Sequence, residues 1–126
     1  MSKPKERPYD IKIEDRNSYL WVLVSGETLT ADIAKEYWDE ISARCRSAAR
    51  DKILIEKDFV EPVGPQDMIK MAEHVAKVLP SARIAFIDHQ EHDDINELGK
   101  KLARNLDVKM QIFNNAAEAE RWLMAN

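Results

Sequence analysis

The sequence predicts an α/β fold, a single domain of order ββαβαβαβα built on a mixed, mostly parallel five-stranded sheet. Three observations carry that expectation. Two early runs, Tyr9–Ile13 and Tyr19–Val24, flank the turn-forming Asp15-Arg-Asn-Ser18 and read as a hairpin. Two later runs, Ile53-Leu-Ile55 and Ala82-Arg-Ile-Ala-Phe-Ile87, are nearly unbroken, as strands buried on both faces are. The segments between the later strands carry apolar residues at helical spacing, so those strands should be parallel and joined by right-handed crossovers.

Taken in order, residues 1–8 are expected as a loose arm held extended by Pro4 and Pro8. Tyr9, Ile11 and Ile13 alternate with charged residues and make an edge strand. The next strand is apolar on both sides, therefore more central, and Gly26 is expected to break it. Thr28 or Thr30 can cap the first helix, whose stripe is Ala34, Tyr37, Trp38, Ile41, Cys45 and Ala48. In the third strand the charges of Lys52 and of Glu56-Lys-Asp58 are expected to mark where the chain leaves the core. Phe59-Val-Glu-Pro-Val-Gly-Pro65 should be an apolar, mobile loop, and Pro65 suits the first turn of the helix that Pro80 closes. After the fourth strand, Asp94 and Glu97 have capping-box spacing. A helix bearing Ile95, Leu98, Leu102, Ala103 and Leu106 comes next, then the alternating edge strand Val108–Ile112. Asn114 or Asn115 caps the last helix, with Ala116, Ala119, Trp122 and Leu123 on its apolar side.

The composition narrows the function classes. A chain of 126 residues suits one domain spanning its whole length, and a net charge of −4 argues against a nucleic-acid partner. No apolar run approaches the ~20 residues of a membrane span, and the charged N-terminus does not resemble a signal peptide. With Cys45 the only cysteine, no internal disulfide forms, and a cytoplasmic location is expected. Glycines occur only at 26, 64 and 99, too far apart for a phosphate-cradling loop, so no cofactor is expected.

The hairpin leading to Gly26-Glu-Thr-Leu29, the strands Ile53-Leu-Ile-Glu-Lys-Asp58 and Arg83-Ile-Ala-Phe-Ile-Asp88, and the ending Phe113-Asn-Asn-Ala-Ala-Glu-Ala-Glu-Arg-Trp-Leu123 together resemble the SpoIIAA-like family of the STAS domains. By fold the chain is also similar to the CRAL-TRIO lipid-binding domains. The resemblance runs from about residue 8 to 125 and is specific for fold and loose for function. None of these motifs is a catalytic signature, and no enzyme is expected. STAS domains that act as anti-sigma-factor antagonists carry a phosphorylatable serine just after the third strand. Here that position falls in Phe59–Pro65, and no Ser or Thr occurs from Lys52 to Pro80. A phosphate-operated switch is therefore not expected.

Four features invite a chemical role. Phe59, Val60, Val63, Met68, Ile69 and Met71 cluster after the third strand, where ligands of parallel sheets usually bind, and Tyr37 and Trp38 could line the same space. The bland account of the same residues is core or a homodimer contact. His89, His92 and Asp93 offer metal-ligand atoms, but a bare His-x-x-His is a weak pattern and no metal is expected. Asp58 and Asp88 end strands and could face one another as a carboxylate pair, which with His89 would sketch an enzyme. Cys45 lies on a buried stripe with no base to activate it.

The resulting expectation is a binding protein for a small apolar or lipid-like ligand, held between residues 59–71 and the first helix. The same surface would suit reversible association with the inner membrane surface. From a different class comes a regulatory module that holds a protein partner, similar to an antagonist without its phosphoserine.

Overall fold

The computed structural model describes residues 7–125, so most of the expected N-terminal arm lies outside the described residues. The elements run β1 (Tyr9–Asp15), β2 (Leu20–Thr28), α1 (Ala31–Ala48), β3 (Lys52–Glu61), α2 (Pro65–Val78), β4 (Arg83–Asp88), α3 (Asp93–Asn105), β5 (Lys109–Ile112) and α4 (Ala116–Met124). The order is the expected one, and the sheet is β1-β2-β3-β4-β5 with β1 and β5 at its edges. Only β1 is antiparallel to its neighbour.

Spatial order equals chain order, and the consequence is strong. Crossovers of one hand along a sheet that never reverses must all return over the same face. Accordingly α1, α2 and α3 pack on one side, over Leu20, Val22, Val24, Ile53, Ile55 and Ile84. The opposite side is covered by α4 alone, with Ala119 and Leu123 against Leu54, Ala85 and Ile87. Beyond the reach of α4, the Trp21 indole N–H donates to Glu56 Oε2 at 2.6 Å, and the Arg16 guanidinium lies 4.4 Å from its ring centroid. Polar side chains thus finish a face that lacks a second helix.

Helix ends obey local chemistry. Thr30 Oγ1 accepts from the Ile33 amide at 3.2 Å, and Asn115 Oδ1 from Glu118 at 2.9 Å. Pro65 occupies the first turn of α2. The expected Asp94–Glu97 capping box does not form, because α3 starts two residues earlier, at Asp93 with His92 at its cap. The strand-end Asp88 takes over, accepting from the backbone amides of Gln90 at 3.1 Å and His92 at 2.9 Å.

Two strand boundaries differ from expectation for one reason. Gly26 does not break β2, and Phe59-Val-Glu61 is strand rather than loop. Gly26 pairs with Phe59 in register, and the ladder continues to Thr28 opposite Glu61. A Cβ on Gly26 would stand 2.8 Å from Phe59 Cε2 and 3.0 Å from the Pro8 carbonyl oxygen. Glycine is needed there for space, not for a left-handed backbone. Gly26→Ala should therefore lower the urea midpoint by the equivalent of about 1–3 kcal/mol, the usual cost of overpacking. A midpoint equal to wild type would show that the ring shifts freely.

Candidate functional site

The residues singled out after the third strand divide into three groups. Phe59, Tyr37 and Val63 are core: Phe59 is 0% exposed, and its ring stacks on Tyr37 at 6.3 Å between centroids. A second group, Trp38, Met68 and Met71, is buried too, but lines an apolar cavity of about 60 Å³. That cavity lies between α2, α3 and the β4–β5 half of the sheet, with Phe86, Asn96, Gly99 and Met110 in its wall. Only Val60 and Ile69 reach solvent, at 48% and 41% exposure. The expectation of one continuous apolar site against α1 is thus corrected. Strand alternation sends Phe59 inward and Val60 outward, and helical spacing does the same to Met68 and Ile69.

The expectation of a loop over Phe59–Pro65 is corrected as well. With Phe59–Glu61 in the ladder and the Met68 amide donating to the Gly64 carbonyl at 2.9 Å, only Pro62, Val63 and Gly64 lie outside regular structure. Ligands of parallel sheets collect where strand order reverses and adjacent crossovers part. This sheet has no reversal, so the carboxyl ends of its strands open no such crevice.

What occupies those strand ends is a charged group in the interior. Lys57, expected to mark the exit from the core, is 1% exposed, because its side chain falls on the same face as Ile55 and Phe59. Its Nζ has no hydrogen-bond partner and sits 4.9 Å from the centroid of the Phe86 ring. Burial depresses the lysine pKa, and the charge of Asp88, its partner in register on β4, opposes that fall. For Asp88 burial acts upward, yet the bonds from Asn96 Nδ2 at 2.8 Å and from the loop amides, with the charge on Lys57, hold it below the usual carboxylate range.

The carboxylate pair does not form. Lys57 is level with Asp88 on the inner face, so Asp58 is on the outer one, where it accepts from Gln90 Nε2 at 2.7 Å. The histidines part company too. His89 Nε2 meets Glu56 Oε1 at 2.8 Å, and His92 Nε2 lies 3.1 Å from the Val60 carbonyl oxygen. Among the described residues no group of three His, Cys, Asp or Glu side chains is placed to hold a metal ion. Cys45 is buried, and burial raises its pKa to about 11.

Sequence reasoning missed Lys57 and Gly99. A signal existed for both: the period-two face of β3 contains Lys57, and an isolated glycine inside a helical pattern asks for a reason.

No family model matches the chain, and no curated protein matches it. Among solved structures the chain is similar to an anti-sigma factor antagonist from Mycobacterium paratuberculosis. The TM-score is 0.63 at 14% identity, with 99% of this chain and all of that one covered. It is also similar to an uncharacterised protein with a SpoIIAA-like fold from Shewanella loihica, with TM-score 0.57 and 13% identity over 98% of this chain and 99% of that one. The fold is SpoIIAA-like, as the resemblance implied; likeness at this identity carries no ligand with it. No helix among the described residues is long and apolar enough to cross a membrane.

The placement of these side chains sets two stability outcomes. Phe59→Ala should cost about 3–5 kcal/mol, whereas Val60→Ser with Ile69→Ser should move stability by less than about 0.5 kcal/mol each. Urea midpoints separate the two cases.

Lys57→Met removes a buried charge while keeping chain length, and should leave stability at neutral pH unchanged or raise it by about 1–4 kcal/mol. In the unfolded chain Lys57 holds its proton up to its ordinary 10.5, and in the folded chain it releases it lower. Between those values the unfolded state binds more protons, so stability rises with pH there, and the penalty is present in full below the window. Buried Tyr37, whose pKa is raised above its ordinary 10.0, acts in the opposite sense at higher pH. The readout is therefore the difference between variant and wild type, which should shrink as pH approaches 10.5. A variant clearly less stable than wild type at pH 7 would mean that the ammonium is held by its surroundings.

Proposed function

We propose that this chain is a non-enzymatic regulatory module that holds a protein partner through the segment from Val60 to Ile69, without a phosphate switch. The observation that carries the reading is the surface of that segment. Val60 and Ile69 are two of the four large apolar side chains left exposed among the described residues, and Pro65 between them is exposed as well. Exposed apolar groups on a strand end and a helix, joined by a short proline-stiffened connection, lose little conformational freedom when covered. The fold shared with an anti-sigma factor antagonist supports the same reading.

A lipid-like ligand or reversible membrane association draws less support. The apolar cavity of about 60 Å³ is far below the ~300–1,000 Å³ of pockets that enclose drug-sized ligands. Phe59, which a membrane-dipping surface would need outside, is interior. Catalysis by Asp58, Asp88 and His89 has no geometry to work with, since the two carboxylates lie on opposite faces.

The test uses the full chain with a photo-crosslinking residue at position 69, expressed in its own host. The captured protein is identified, purified and titrated against wild type and against the Val60→Ser, Ile69→Ser double variant. Removing two buried apolar side chains from an interface should weaken binding at least tenfold, since each is worth about 1.5–3 kcal/mol when fully covered. Phosphopeptide mapping of protein from the same cells should find no phosphate between Lys52 and Pro80. Equal affinity for the double variant would sink the reading, and capture of a second copy of the chain would make the segment a homodimer contact instead.

A further inference from the structure

We propose that the sheet face opposite α1, α2 and α3, where it runs over β1, β2 and β3, docks a lysine- or arginine-rich amphipathic helix of a protein partner. The inference rests on the partner reading, gives the partner its chemistry, and extends the contact from Val60 across the outer face. Its first support is that this face is only half covered. Helix α4 packs against β3 and β4, on Leu54, Ala85 and Ile87, with Trp21 at the border of its patch. Leu23, the next outward side chain along β2, is half-buried and joins neither core cluster. Neighbouring strands lie about 4.8 Å apart, so β1 to β3 span about 10 Å, the width of one helix. From Trp21 to Glu27 the face runs about 20 Å along β2, the length of about 13 helical residues.

The second support is charge, which says what kind of helix fits. Tyr9, Ile11 and Ile13 point to the core, so alternation sends Asp10, Lys12 and Glu14 outward on β1. Glu27, Glu56 and Asp58 are outward on β2 and β3. Five carboxylates thus stand against one ammonium on these strands. The rest of the chain has as many basic as acidic residues, so its net charge of −4 is the excess on this face. Register arranges the excess as a channel. Asp10 is level with Ser25 and Ser25 with Asp58, while Lys12 is level with Leu23 and Leu23 with Glu56. Uncharged side chains of β2 form the floor, with carboxylates on both flanks and Glu27 at the end. Arg16 meets Glu14 and His89 meets Glu56, whereas Asp10 and Glu27 form no ion pair among the described residues. The apolar stripe of a helix would cover Leu23 and Val60, and cationic side chains on either side of it would reach the carboxylates. A second copy presenting the same face would oppose like charges, and an anionic membrane or nucleic acid would be repelled.

The probe is a synthetic 14-residue peptide helix with a leucine and alanine stripe flanked on both sides by lysines, titrated into the full chain and followed by NMR. Saturable shifts of the Leu23 and Ser25 amides and the Trp21 indole N–H are expected, while Trp38, buried on the other side of the sheet, stays still. Asp10→Lys with Glu27→Lys, both at exposed positions, should weaken binding at least tenfold and let the same peptide with glutamates in place of lysines bind instead. Ile69→Ser should bind as wild type does, so this face can fail while the crosslink at position 69 still succeeds. A reordered peptide of equal composition that binds as well, or a lysine double variant that keeps its affinity, would overturn the proposal. So would loss of binding in Ile69→Ser, which would move the contact to α2. A tenfold gain in Lys3→Glu with Lys5→Glu would make the chain's own N-terminal residues the occupant, and a Trp21 shift on dilution without peptide would make it a second copy; either result overturns the partner helix.

Discussion

Much of this molecule depends on a ring lying against a backbone that has no side chain. Because Gly26 leaves room for Phe59, β2 and β3 stay paired to Thr28 and Glu61 instead of parting earlier. The longer ladder then positions two helix starts. The Leu29 amide donates to the Glu61 carbonyl at 3.0 Å, which brings the start of α1 beside the end of β3. Asp67, in the first turn of α2, accepts from the Ala31 amide at 3.1 Å, so the two helix starts are tied together by one carboxylate. Phe59 completes the link by stacking on Tyr37 of α1. A segment that its composition presents as a loose apolar loop becomes a fixed edge.

The same sheet leaves little for chemistry to use. A strand order without a reversal keeps all three crossover helices on one face, and their starting ends close over the strand ends. The enclosed space holds Lys57 and Asp88, whose neighbours satisfy the acid far better than the base. Asp88 has a structural task as the anchor of the loop that begins α3. Lys57 has an aromatic face and a carboxylate at longer range, which is weak compensation for a desolvated ammonium.

The architecture is legible in the sequence because it rests on periodicity. Ile53-Leu-Ile55 and Ile84-Ala-Phe-Ile87 announce buried parallel strands, and Thr30, Pro65 and Asn115 act at helix starts as their chemistry dictates. The candidate site is legible only in composition. Residues 59–71 are apolar, but which of them face out depends on whether Phe59 and Val60 alternate as strand or coil as loop. That question is settled by Gly26, more than thirty residues before Phe59 in the chain, through a contact that no local pattern reveals. Lys57 lies on the period-two inner face of β3, but charge at a strand end usually marks solvent, and that expectation hides the pattern.

Helix α2 shows how one element serves two environments. Met68, Met71 and Val75 form its inner stripe against the sheet and the cavity, while Ile69 stands on the outer side. Its first turn carries Pro65 and Asp67 and no hydroxyl, so added phosphate cannot alter charge at this helix start, where the dipole would make it most effective. Only Pro62, Val63 and Gly64 separate the end of β3 from α2, and Val63 is buried. The outward residues are therefore held in place before anything covers them. A partner meeting Val60 and Ile69 would meet a preformed edge, and the ordering cost that weakens binding to flexible segments would be small.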